Sequence, residues 1–161
     1  MMAAAWRIGT DTPDYTADDR DGFGAKKSGG RWNRPGVALV YTASSAALAC
    51  LETVVHLSAG ALPMNRYLVR IDIPDDVFAR RLRFEDLVPA PKRVGWDAEP
   101  AGRVSLDLGG DWVAVGSSAI LEVPSVIIPE EPNYLINPAH PDAATITATK
   151  LRRFEYDRRL R

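Results

Sequence analysis

Strand-like and helix-like runs do not alternate in this chain, and that property sets aside the doubly wound parallel folds. Short apolar or alternating runs at residues 37–42, 67–73, 119–123, 125–128 and 133–137 read as strands. Trp6, Arg7 and Ile8 read as a short first strand, and Phe154 and Tyr156, alternating with charged residues, continue the pattern near the C-terminus. Helical spacing is clear where Leu48, Leu51, Val54 and Val55 form one apolar stripe, with Ser44 or Ser45 placed to cap it. Residues 78–87 fit both templates. Residues 107–116 are punctuated by glycine around Trp112, and Pro124 implies an edge, bend or bulge. Several short strands with one clear helix and two lesser ones predict an α+β fold.

At 161 residues the chain has the length of one domain, 1–161. Residues 89–103 carry three prolines and two glycines. The chain beyond them is too short for a second core, so they read as a connection. Residues 10–27 form a long polar loop, a candidate lid. Gly60 and Pro63 end the helical pattern, and the turn around Pro138 and Pro141 gives His140 a local structural role. No run reaches membrane-span length and no signal-peptide pattern opens the chain, so a cytoplasmic location and no membrane partner are expected. The single Cys50 excludes an intramolecular disulfide, and with His56 and His140 it makes no recognisable metal site. The net charge of −1 gives no general attraction to nucleic acid. The basic cluster from Lys150 to Arg161 reads as a solvated last strand and tail.

The chemistry concentrates between Gly29 and Ser58. Arg31 and Trp32 sit on a turn flanked by Gly29, Gly30, Asn33, Pro35 and Gly36. Tyr41 ends the next strand, and Glu52 lies on the edge of the helical stripe, one turn before His56. Taken singly, a helical glutamate is ordinarily solvated, a glycine turn is ordinarily a hairpin, and a strand-end tyrosine is ordinarily core. Together they bring a guanidinium, a phenol and a carboxylate from three backbone settings toward one crevice.

The order of these residues resembles the RES domain family, bacterial toxins of two-gene toxin–antitoxin pairs named for their arginine, glutamate and serine. The resemblance continues in Gly109-Gly110-Asp111-Trp112, in residues 123–129 (VPSVIIP) and in residues 133–141 (NYLINPAHP), and spans about residues 6–157. It matches Arg31, Glu52 and Ser125 to the family's three letters, with Ser117 and Ser118 as nearby alternatives for the serine, and Tyr41 as the aromatic. Arg7 falls where the family often has a basic residue.

The resemblance implies a split β-sheet core flanked by helices, similar to the ADP-ribosyltransferase toxins, with NAD+ as substrate and no cofactor beyond it. Cleaving the nicotinamide–ribose bond develops positive charge on the sugar, as in glycoside hydrolysis, and a carboxylate such as Glu52 stabilises that charge. Arg31 suits the diphosphate, Tyr41 offers a ring face to the nicotinamide, Ser125 offers a donor, and Arg7 and Trp32 complete the binding set. The expected activity is NAD+ consumption by hydrolysis or phosphorolysis that arrests growth. The alternatives are mono-ADP-ribosylation of a host protein and a non-catalytic nucleotide- or peptide-binding module. The implied partner is an antitoxin with an Xre-like helix-turn-helix domain, which itself would contact DNA.

Overall fold

Period-two burial is clearest from Arg66 to Pro74, where Val69, Ile71 and Ile73 are at most 2% exposed while Arg70 and Asp72 pair outside at 2.9 Å. In the computed structural model, which describes residues 1–58 and 62–160, this strand (β3) pairs antiparallel with β1 (Met2–Thr10) along the full length of both. The first strand is thus longer than Trp6–Ile8. Its three alanines carry no strand signal of their own and are held by the β3 ladder. On the far side of β3 lies β7 (Thr147–Arg153), the outer edge. Gly60 and Arg161 lie outside the described residues.

The other half of the sheet consists of β2 (Val40–Ala43), β6 (Pro132–Ile136), β5 (Ile120–Pro124) and the short β4 (Leu82–Arg83). The order is β4-β5-β6-β2-β1-β3-β7, with β4 parallel to β5 and the other pairs antiparallel. The two halves meet between β2 and β1 through one residue pair, Ala43 and Trp6. One mixed seven-stranded sheet therefore opens into a split at its centre, in keeping with the expected α+β class.

Alternation along the strands buries both faces. Val40, Ile120 and Ile136 join Ala5, Val69, Ile71 and Ile73 in one cluster. Leu121, Val123 and Leu135 point the other way and pack with Trp32, Phe84 and Trp112. Trp112 belongs to α6 (Arg103–Val115), a 13-residue helix that the glycines at 109 and 110 conceal in the sequence. On the β1 side of that same face, Ile8, Ala43 and Leu68 support α2 (Ala46–Val54) through Leu48 and Ala49.

The α2 cap is the expected one: the Ser45 hydroxyl accepts from the Leu48 amide at 3.0 Å. Ser45→Ala is expected to lower stability by about 1 kcal/mol, read as a shift in urea midpoint without change in slope. Val55, assigned to the core stripe, lies past the helix end and is 55% exposed. The remaining elements are short. They are α1 (Phe23–Ser28) at the end of the polar loop, α3 (Asp75–Ala79), α4 (Phe84–Leu87), α5 (Ala90–Arg93) and two 3₁₀ turns, Pro141–Thr145 and Arg158–Leu160. Residues 78–87 fit both templates because they hold helix, strand and helix in succession. Phe154 and Tyr156 lie beyond β7 and pack under α2, where the Tyr156 hydroxyl meets that of Thr53 at 2.7 Å. No helix among the described residues is long and apolar enough to cross a membrane.

Candidate active site

The split between β2 and β1 opens into a cavity of about 710 Å³, within the range of small-molecule sites. Val123, Asn133, Leu135, Tyr41 and Ala43 contribute its floor, Glu52 and Thr53 of α2 with His56 just beyond it one wall, and Gly24, Ser28 and the Gly29–Trp32 turn the opposite wall. Arg7, Tyr41, Trp32, Arg31 and Glu52 therefore border one hollow. Ser125 stands behind the wall, in contact with Glu52.

The turn is built around Asn33, which is wholly buried. Its side-chain amide donates to the carbonyls of Ala25 at 2.8 Å and Val37 at 2.9 Å. Its carbonyl oxygen accepts from the Tyr41 hydroxyl at 2.7 Å, and that hydroxyl accepts in turn from the Trp32 amide at 3.0 Å. Burial pushes the Tyr41 ionisation well above the usual phenol range, so the group remains a neutral donor. With its hydroxyl so engaged, Tyr41 has only its ring to offer a ligand. Gly30 permits the arrangement, since a Cβ there would lie 2.6 Å from the Tyr41 hydroxyl.

Arg31 is 16% exposed at its side chain and committed to a segment far along the chain. Its Nη1 donates to the carbonyls of Trp96 at 3.1 Å and Ala98 at 2.7 Å, and its Nη2 pairs with Glu99 at 2.8 Å. Those bonds leave Nε and the second Nη2 hydrogen for a ligand, unless the ligand displaces Glu99. Glu99 is 76% exposed at its side chain, so its hold on Arg31 is worth about 1 kcal/mol or less. Trp32 points away from the solvent side of the cavity. Its indole is 3% exposed, edge-on to Phe84 and stacked on Trp96.

Arg7 ties the polar loop to the cavity. Its Nη2 donates to the carbonyls of Ala17 at 2.5 Å and Asp19 at 2.7 Å, and burial lowers its pKa against the opposing pull of Asp19 and Asp18. The same loop is held by Asp11, which accepts from the Ala17 amide at 2.7 Å and from Lys150 at 2.9 Å on each oxygen. Arg20 bonds the Ile146 carbonyl at 2.6 Å. The loop is a pinned wall, contributing Tyr15, Thr16, Ala17 and Asp19 to the cavity lining.

Glu52 is anchored through a single oxygen. One of its oxygens, Oε1, accepts from the Ser125 hydroxyl at 2.6 Å and from the Asn133 side-chain amide at 2.7 Å. Ser125 is itself fixed, because its hydroxyl accepts from the amides of Ile127 and Ile128 at 3.1 Å each. Of the neighbouring serines, Ser118 is taken up in the core between the Trp112 indole and the Ile120 carbonyl. His140 accepts from the Asp142 amide at 3.1 Å and caps the short 3₁₀ turn, the local role assigned to it. Among the described residues no three His, Cys, Asp or Glu side chains gather as a metal site.

Sequence reasoning missed Asn33, Asn133 and Glu99. Asn133 carried a usable signal, since asparagine is unfavourable within a strand flanked by apolar neighbours. Asn33 reads as an ordinary turn residue, and Glu99 reaches Arg31 only through tertiary structure.

The RES domain model matches residues 4–157. The chain is 59% identical over 160 residues to a protein of Sphingobium sp. named "Prs ADP-ribosylating toxin", covering 99% of this chain and 98% of that one. It is 36% identical over 148 residues to "Toxin Res" of Yersinia enterocolitica, covering 91% and 93% of the two chains. It is 38% identical over 127 residues to "Toxin Res" of Pseudomonas putida, covering 78% and 81%. With a family model spanning nearly its whole length and relatives alike from end to end, the chain belongs to the RES domain family of toxins.

Proposed function

We propose that the chain cleaves the nicotinamide–ribose bond of NAD+ in the central cavity and transfers the ADP-ribosyl group to a protein acceptor. The observation that carries this reading is Glu52, a carboxylate on the cavity wall with one oxygen fixed by two donors and the other, Oε2, without a partner among the described residues. As the C1′–N1 bond breaks, its electron pair passes to the pyridine nitrogen and neutral nicotinamide departs. The ribosyl cation left behind is stabilised by the anionic Oε2. A nucleophile then forms the new bond at C1′ and gives up its proton. Arg31 takes the diphosphate as Glu99 gives way, and the Tyr41 ring lies against the nicotinamide.

The Sphingobium relative's name supports a protein acceptor, and Prs is the acceptor to try first. Water reaches the same intermediate when no acceptor is docked, so slower hydrolysis accompanies transfer. The partner that restrains such a toxin is an antitoxin with an Xre-like helix-turn-helix domain, meeting the cavity mouth where Arg31 and Glu99 lie.

Purified protein mixed with NAD+ is expected to release nicotinamide, and labelled NAD+ with Prs is expected to yield a labelled protein band. Saturable NAD+ binding with neither product after long incubation would assign the cavity to ligand storage. Arg31→Lys keeps the charge and loses the planar fork. It is expected to raise KM for NAD+ by roughly tenfold with a smaller change in kcat, measured by initial rates of nicotinamide release.

A further inference from the structure

Asn133 is out of place by the ordinary rules of a sheet. It lies within β6, opposite Ala43 of β2 and Val123 of β5, a position that favours β-branched or apolar side chains. Its Nδ2 is committed to Glu52 Oε1 at 2.7 Å. Its Oδ1 is buried with no hydrogen-bond partner among the described residues, which is destabilising for a polar atom in the interior. A strand position that breaks the local propensity and also leaves an acceptor unpaired is the signature of a residue kept for function.

We propose that Asn133 is a positioning residue for the Glu52 carboxylate, acting with Ser125 to fix Oε1 and leave Oε2 as the oxygen that faces the ligand. The inference rests on the NAD+-cleaving reading for its kinetic consequence, though not for its effect on Glu52 itself. Two donors on one oxygen restrict the rotation of the carboxylate and hold its other oxygen toward the cavity. Ser125 supplies only one of them, since its hydroxyl has one proton to give and its lone pairs receive the Ile127 and Ile128 amides. The other ionisable groups on the cavity walls are His56 just past α2, Arg7 on β1, Tyr41 on β2, Arg31 on the turn with its partner Glu99, and Tyr15 and Asp19 on the loop. None of them bonds to Glu52. Behind α2, Tyr156 is engaged with Thr53.

Asn133→Val separates this role from a structural one. Valine suits the strand and removes the orphaned acceptor, so the melting temperature is expected to hold or rise while nicotinamide release falls by about tenfold or more. The loss is expected in kcat, with KM for NAD+ changed by less than about threefold, since the carboxylate acts at the reacting centre. Asn133→Asp, nearly isosteric, sets a like charge against Oε1 and is expected to lower kcat further. A crystal structure of each variant reads the orientation of the Glu52 carboxylate without turnover. A carboxylate rotated away from its wild-type position in both variants supports the proposal even if the wild type proves unable to cleave NAD+, in which case only the functional reading fails. A Glu52 carboxylate left in place with kcat unchanged would overturn it, as would activity lost only in step with melting temperature.

Discussion

Glu52→Gln is expected to slow nicotinamide release from NAD+ by about a hundredfold or more, the scale of losing one preorganised electrostatic stabiliser. The amide is the informative replacement because its oxygen still accepts from Ser125 and Asn133, so the surrounding hydrogen bonds survive and only the negative charge is removed. A truncation to alanine would also strip the acceptor from both donors and mix catalytic loss with local collapse. Release is tracked by chromatography and the fold by thermal melting on the same sample. A Glu52→Gln protein that retained its rate within a few-fold would exclude the carboxylate from the chemistry.

The second large effect concerns stability. Gly109→Ala is expected to destabilise the protein by about 3 kcal/mol, because the new Cβ overlaps the carbonyl oxygen of Trp32 and comes within 2.8 Å of its carbonyl carbon. Glycine to alanine within a helix normally stabilises by up to about 1 kcal/mol, so the expected sign is the reverse of the usual one. Gly110→Ala is the control: no atom lies within 4 Å of its Cβ position, and the ordinary gain is expected. The pair is compared by thermal melts, where a loss of that size corresponds to roughly 6–12 °C. Since Gly109 abuts the backbone of the Arg31–Trp32 turn, its substitution also displaces the guanidinium wall of the cavity. A melt no lower than that of the control would show that the turn gives way freely.

These two cases mark where the sequence is readable and where it is not. The Ser45 cap, the alternating β3 and the joint presence of Arg31, Tyr41 and Glu52 around one hollow come from patterns a few residues long. Helix α6 does not, because Gly109 lowers its apparent helix propensity for the sake of a contact with a turn far away in sequence. The extent of β1 is hidden similarly: Ala3, Ala4 and Ala5 are neutral by pattern and become strand only by pairing with Ile73, Asp72 and Ile71. The partners of the charged groups are the least legible. Arg31 meets Glu99 and Glu52 meets Asn133 across long stretches of chain, and no local rule chooses among the 21 acidic residues or the other amides.

The placement of Glu52 has a mechanical result. Its helix rides on the β1 side of the seam, whereas Ser125 and Asn133 belong to the β5–β6 side, so this carboxylate is also a buckle between two half-sheets whose ladder across the seam is the single pair Trp6 and Ala43. Any substrate that drew the carboxylate away from those donors would unfasten the aperture through which its product must leave.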